Sequence, residues 1–544
     1  MTINRRGALA LLGSGAALGV PGAAQTAQPV AARFAHGIAS GDPAADGAVI
    51  WTRITADAGV GDVPVTWHVA AAADGKPIAS GKATARAAAD HTVKVEVTRL
   101  KAGRDYWYWF TTASGHRSPV GRFRTLPKGA IDSLVLAVAS CQLYPGGLFN
   151  AYADMAALPR LDAVLHLGDY IYEYGAEGYG VEVGKKLGRL PDPPHEILTL
   201  ADYRRRHAQV KGDADMQAAH ARAAFICVWD DHEVANDSWI GGAENHDPAT
   251  EGNWKARKAA AMQAYFEWMP IRDPKQGRPW DAINRSFEFG DLATLAMVET
   301  RLLARSEQAE VKGGTPGPEQ YAAVMAERAR PEREMLGADQ QRWLEGVLAA
   351  SVQANKPWQM LGNQVLMARV AGPNLTSLAP HIAKLPEVYR KRLQQAAAGF
   401  EAGLPFNFDA WDGYPAARER LYAAFRRAGS KPIVLAGDSH AAWANDLYDD
   451  AGMLVASEFG STAITSPSYG SLLPGLGVVL AEANREVAFC DQDNKGYTLL
   501  TLTPSAATAE FVTVSTILAK PFGRKVAATY RVAPAAQRAP LQRV

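Results

Sequence analysis

The stretch Ala163-Val-Leu-His-Leu-Gly-Asp-Tyr-Ile-Tyr172 decides how this chain is read. Residues 163–167 are apolar except for His166. A short run of that kind predicts a strand buried on both faces, as in a parallel sheet. Gly168 then permits a sharp turn, so Asp169 and Tyr172 fall just past the carboxyl end of the strand. Open α/β sheets bind their ligands at that end. A carboxylate there suits a hard metal ion, and a phenol three residues on can reach the same ion. The same pattern also fits an aspartate that merely caps a strand–helix turn. His166, inside the strand, reads as a core histidine rather than a ligand.

What separates the two readings is recurrence. Leu134-Val-Leu-Ala-Val-Ala139 runs into Ser140-Cys141, and Ala224-Phe-Ile-Cys-Val-Trp229 into Asp230-Asp231-His232-Glu233. Pro432-Ile-Val-Leu-Ala436 runs into Gly437-Asp438-Ser439-His440. Strand ends of one sheet converge in space, so Cys141, Asp169, Tyr172, Asp231, Asp438 and His440 are expected to meet. Thiolate, phenol, imidazole and carboxylates together make a metal centre of mixed soft and hard ligands. Asp169 could bridge two ions. A pair of ions about 3.5–4 Å apart clamps a phosphoryl group and activates water for in-line attack.

The rest of the chain divides around this core. Residues 33–126 read as an all-β module: Val65-Thr-Trp-His-Val-Ala70, Lys94-Val-Glu-Val97 and Asp105-Tyr-Trp-Tyr-Trp-Phe-Thr-Thr112 are β-rich, and Ala73-Asp-Gly-Lys76 is a hairpin turn. The block from Leu100 resembles the late strands of a fibronectin-type-III-like sandwich, and Pro127-Lys-Gly129 reads as a linker. Residues 131–520 form the α/β domain, with helices over 149–157, Trp254–Trp268 and 339–351 and strands ending near Glu299 and Gln364. Residues 175–194, rich in Gly and Pro, read as a surface loop. Another helix starts at Asp412 as N-cap, carries Pro415 in its first turn and stops at Gly429. From Leu454 the pattern is mostly β to Val514. Residues 373–408, with a helical stretch Glu387–Glu401, read as a lid or insertion. Residues 521–544 are a basic, Pro/Ala-rich extension that either packs or stays free.

The net charge of +1 argues against a nucleic-acid backbone binder, and no internal run of about 20 apolar residues suggests a membrane span. Asn4-Arg-Arg-Gly7, an apolar stretch over 8–20 and small residues to Ala27 describe an export signal. The paired arginines point to the twin-arginine export machinery and a periplasmic or secreted location. Of the three cysteines, Cys227 and Cys490 read as buried small hydrophobes.

These blocks together resemble the PhoD-type alkaline phosphatases, a branch of the calcineurin-like metallophosphoesterases. The likeness runs from Phe34-Ala-His-Gly-Ile-Ala-Ser-Gly-Asp-Pro43 through His166-Leu-Gly-Asp-Tyr-Ile-Tyr-Glu-Tyr-Gly175, Tyr203-Arg-Arg-Arg206, Trp229-Asp-Asp-His-Glu233 and Trp411-Asp-Gly-Tyr-Pro415 to Glu458-Phe-Gly-Ser-Thr462. It implies a β-sandwich before a four-layered α/β/β/α phosphoesterase domain, and ferric iron with calcium. By resemblance, Cys141, Asp169, Tyr172 and His440 hold the iron, Asp169 bridges, and Asp438 binds calcium. Asp231 stands where the wider superfamily has a metal-binding Asn. His232 stands where that superfamily has a histidine that steadies phosphate or protonates the leaving group, with Glu233 orienting it. Glu299-Thr-Arg301 replaces a common Asp-Thr-Arg, and the longer acid is expected to shift the pocket wall. Arg301, Arg418, Asn236 and Asn363 are candidates for substrate contact, the arginines through bidentate phosphate binding. The expected activity is alkaline phosphatase or phosphodiesterase. The alternatives are a diesterase dedicated to nucleotides, phospholipids or cell-wall polymers, and an exported binding protein working through its sandwich.

Overall fold

The computed structural model describes residues 33–56, 59–311 and 316–544. The export signal read over 1–27 lies outside them. Among the described residues three sheets carry the fold. At the centre of the largest, the apolar runs Leu134–Ala139, Ala163–His166 and Ala224–Cys227 lie side by side in parallel, Ala163 opposite both Leu136 and Ala224. Ile38–Ala44 continues this sheet in parallel with Ala224–Cys227, followed by Gly47–Arg53 and Thr92–Val97. On the other flank come the antiparallel strands Lys495–Leu502, Ala507–Val514 and Arg524–Val532.

The second sheet has Ala293–Met297, Trp358–Gly362, Ile433–Ala436 and Leu454–Gly460 in parallel at its centre. Leu136, Leu165 and Phe225 of the first sheet share one core with Leu295, Met360 and Leu435 of the second, so the sheets pack face to face. Helices Asn150–Ala157 and Trp254–Trp268 cover the outside of the first sheet through Tyr152, Met155 and Tyr265. Helices Ala338–Gln353 and Pro415–Arg427 cover the second through Leu344, Leu348, Leu421 and Phe425. This is the four-layered α/β/β/α arrangement. The remaining sheet, Pro77–Ala85, Val63–Ala70, Asp105–Thr112 and Gly121–Arg124, closes the N-terminal sandwich, packing Val65, Tyr108 and Phe110 against Ile50 and Val93. The sandwich thus borrows its second face from the large sheet.

Several local expectations are corrected. The four ligand-bearing strands belong to two sheets, three in the first and Ile433–Ala436 in the second. Residues 175–194 contain a helix, Val181–Leu187, bounded by Gly180 and Gly188 at φ 73° and 67°, so the glycines mark its ends rather than a loop throughout. Asp412 does not cap the following helix; Tyr414 occupies that position. Its carboxylate instead accepts from the Val370 N–H at 2.6 Å and from Arg418 at 2.6 Å, a buried network that outcompetes an exposed cap. The region 454–514 is interrupted by helix Leu476–Ala483. Of the two alternatives for the extension after 521, it packs: Arg524–Val532 joins the first sheet, with Gln542–Arg543 outside it at the edge. The expected helix Glu387–Glu401 forms within residues 373–408 and rests Leu393, Ala397 and Phe400 against the second core. Among the described residues no helix is long and apolar enough to cross a membrane.

Candidate metal centre

Three of the four strand ends deliver their polar groups by turning the backbone into the left-handed region. Cys141, Asp169, Asp438 and His440 have φ of 60°, 58°, 61° and 57°. L-residues with side chains seldom adopt that conformation, and it persists where surrounding structure imposes it. Here the Cys141 N–H donates to Gly168 O at 3.2 Å and the Gln142 N–H to Asp169 O at 3.0 Å, tying two strand ends together. Gly168 sits at φ 114°, and a Cβ there would lie 2.3 Å from the Asp230 Cβ. A Cβ on Gly437 would lie 2.8 Å from Ser140. These two glycines let four strand ends from two sheets close on one point.

Three overlapping groups of donor atoms result, each with its atoms within 4.8 Å of one another: Cys141, Asp169 and His440; Asp169, Asp231 and His232; and Asp230, Asp231 and Asp438. Tyr172 joins the first, its hydroxyl donating to Asp169 Oδ2 at 2.8 Å and lying 3.3 Å from His440 Nε2. Asp169 and Asp231 belong to two groups each, so the arrangement has two ends and a shared middle.

The chemistry of the set fits cations. Asp169 Oδ1, Asp230 Oδ2 and Asp231 Oδ1 are buried without a hydrogen-bond partner, a costly state for a carboxylate unless a cation meets it. Burial first, and then neighbouring acids, push the Asp438 carboxyl well above its usual range. Burial pushes Asp230 up to about 7 against the pull of Arg301. Burial and then the Asp169 charge raise the Cys141 thiol and the Tyr172 phenol as well. Bound cations invert that ordering. Asp231 differs: burial disfavours its charge, but Arg301 and His232 overcome this and hold it below the usual range.

His232 is fixed from outside the cluster. Its Nδ1 lies 2.7 Å from Glu173 Oε2, and its ring lies over Tyr172 at 4.2 Å. Burial opposes its charged form, yet Asp231, Glu173 and Asp169 outweigh burial and raise it well above the usual histidine range. Glu233, expected to orient His232, faces away. It accepts the backbone N–H groups of Asp169 at 3.0 Å, Tyr170 at 2.6 Å and Asp230 at 2.8 Å, pinning both strand-end turns.

The outer partners come from 465–468. Ser466 Oγ lies 2.6 Å from the Tyr172 hydroxyl and donates to Cys141 O at 2.8 Å. His440 donates Nδ1–H to Pro467 O at 2.7 Å, which leaves Nε2 for the cluster.

The remaining candidates are engaged by other protein groups. Arg301 is wholly buried and already paired with Asp230, with Asp409 at 2.6 Å, Asp438 at 3.0 Å and Asp231 at 3.6 Å. Its fork orders carboxylates and is not free for a phosphate. Arg418 pairs with Asp412 and donates to Met367 O at 3.2 Å, away from the cluster. Asn363 donates to Val365 O and accepts from Trp411 at 3.1 Å. Asn236 gives its backbone N–H to Glu173 Oε1 at 2.7 Å, while its side chain donates to Glu244 at 3.2 Å. Glu299 does not line a pocket wall: it accepts from Trp229 at 3.0 Å and from the N–H groups of Arg301, Leu302 and Leu303, capping the loop that carries Arg301. All three cysteines are buried and unbridged. His166 is a core residue, its Nε2 3.1 Å from Gln142.

Sequence reasoning missed Asp230, Glu173 and the 465–468 segment. Asp230 adjoins Asp231 and Glu173 adjoins Tyr172, so proximity to a motif was the available signal; nothing local marks Ser466.

Comparison with known proteins adds the family. The PhoD-like phosphatase model matches residues 136–511, and the model for the PhoD-like phosphatase N-terminal domain matches residues 21–127. Alkaline phosphatase D of Bacillus subtilis (strain 168) is 35% identical over 494 residues, covering 88% of this chain and 77% of the relative. The solved structure of PhoD superposes with a TM-score of 0.77 at 31% identity, over 96% of this chain and 93% of that one.

Proposed function

The chain belongs to the PhoD-like phosphatase family, and we propose that it is an exported hydrolase of phosphoric esters that works with two bound cations. The observation that carries this reading is the meeting of Cys141, Asp169, Tyr172 and His440 at one end of the cluster with Asp230, Asp231 and Asp438 at the other. In this reading the thiolate, phenolate and imidazole end would hold ferric iron, the all-carboxylate end would hold calcium, and Asp169 would serve both. Such ions activate water and neutralise charge on the phosphoryl oxygens.

The chain's own residues do the rest. His232, protonated and held by Glu173, gives a proton to the departing alkoxide. Arg301 keeps four carboxylates apart and aimed inward. Ser466 and Pro467 orient the phenol and the His440 ring. Asn236, Asn363 and Arg418 serve this reading as support for neighbouring elements.

Metal analysis of the purified protein, followed by parallel assay of a nitrophenyl monoester and a bis-nitrophenyl diester, tests the proposal. Stoichiometric metal with turnover of at least one ester is expected; turnover of neither by the metal-loaded protein refutes it.

A further inference from the structure

Three tyrosines surround the acidic cluster without being among the residues that would hold its ions. The Tyr179 hydroxyl donates to Pro467 O at 2.9 Å and lies 3.3 Å from His440 Nδ1, and its ring stacks at 6.3 Å from the His440 ring. Tyr174 bridges the two histidine sides, 5.9 Å from the Tyr179 ring and 5.4 Å from the His232 ring. Tyr469 follows Ser468, whose hydroxyl accepts from Lys495 at 2.8 Å while the same ammonium donates to His440 O at 3.2 Å. Tyr469 is 60% exposed. Phe406, from the 373–408 insertion, packs edge-on to Tyr469 at 5.8 Å and props it there.

Aromatic rings beside a buried polar cluster, two of them exposed and Tyr174 half-buried, offer flat apolar faces next to the reacting group. An ester bound between His232 and His440 would have these rings beside its organic part. We infer that Tyr174, Tyr179 and Tyr469 form a frame that selects phosphoesters whose alcohol carries a planar ring, an inference that rests on the phosphoester reading above. Ring stacking acts on binding and not on bond breaking, so the selection falls mainly on KM.

Adenosine 5′-monophosphate and ribose 5-phosphate test this, because both release a primary ribosyl alkoxide and differ by the base. The purified, metal-loaded protein should favour the adenosine ester in kcat/KM by about tenfold, the size expected of one base–aromatic stack. Tyr469→Ala should bring that ratio close to one, and Tyr469→Phe should retain it. The side-chain contact given up is chiefly with Phe406, and the turn is held by its backbone, Leu472 N–H donating to Tyr469 O at 3.0 Å. Turnover of both esters with equal kcat/KM overturns the aromatic frame alone. A ratio unmoved by Tyr469→Ala overturns the assignment as well. Turnover of neither ester overturns the frame together with the phosphatase reading it rests on.

Discussion

Glu173 Oε2 and His232 Nδ1 lie 2.7 Å apart, with the carboxylate wholly buried. A carboxylate only accepts, so the proton sits on Nδ1, and Nε2 is the nitrogen free to serve the cluster. Glu173 is itself held: Oε1 accepts the Asn236 N–H at 2.7 Å and an Asn245 amide N–H at 2.8 Å.

His232→Ala should therefore lower kcat by about 10²–10⁴-fold on alkyl esters while leaving bound metal largely in place. Nitrophenyl esters should suffer less, because a good leaving group needs little protonation. Glu173→Gln should show the same leaving-group pattern in weaker form, roughly 10–100-fold. Equal losses on both ester classes would argue that the pair is only structural.

Asp169 belongs both to the group with Cys141 and His440 and to the group with Asp231 and His232. Asp169→Asn should remove nearly all turnover and reduce metal content at both ends. Treatment with a calcium chelator should abolish activity, and added calcium should restore it, since oxygen-held hard cations exchange readily. Full activity after exhaustive chelation would exclude calcium.

Cys141 and Tyr172 have their protons held on by burial first and by Asp169 second. Only a strongly Lewis-acidic ion draws both into coordination, and thiolate or phenolate bound to ferric iron absorbs visible light. The purified protein should be coloured, with a band that shifts or bleaches in Tyr172→Phe and in Cys141→Ser. A colourless, iron-free, fully active protein would favour zinc or manganese in the same donors.

Lys211 is buried, donating to the Tyr170 hydroxyl at 3.0 Å, lying 3.3 Å from His220 Nε2, and resting on the Trp51 ring at 4.7 Å. Burial pulls its ammonium down to about 7, whereas the unfolded chain titrates it near 10.4. Between those values the unfolded state holds a proton that the folded state has released, so this group's contribution to stability rises with pH across that window. Lys211→Met should be the more stable protein at pH 7, by on the order of a few kcal/mol. The gap should narrow toward pH 10 in denaturant melts. A constant gap would show that Lys211 is not held neutral by burial.

Arg5→Lys combined with Arg6→Lys should retain activity in the cytoplasm. Unchanged periplasmic activity in fractionated cells would refute twin-arginine routing without touching the enzyme.

The apolar runs before Cys141, Asp169, Asp231 and Asp438 were legible as buried strands from sequence alone, because a strand sealed on both faces must be apolar at every position. The donor types at their ends were legible too, since a thiol, a phenol and acids after four such runs carry chemistry in their identity. So was helix Trp254–Trp268, whose bounds follow from local signals. Which partner each group takes was decided only by the tertiary structure. Glu233 adjoins His232 in the chain, yet it binds backbone at the two turns, while Glu173, 59 residues earlier, holds the imidazole. Arg301 looked like a phosphate clamp but lies within reach of four carboxylates drawn from two separate strand ends and a loop. Ser466 and Pro467 carry no local mark of their role. The physical reason is range: hydrophobic period and turn residues act over a few positions, whereas a hydrogen bond or ion pair depends on atoms within about 3–4 Å, whatever their separation along the chain.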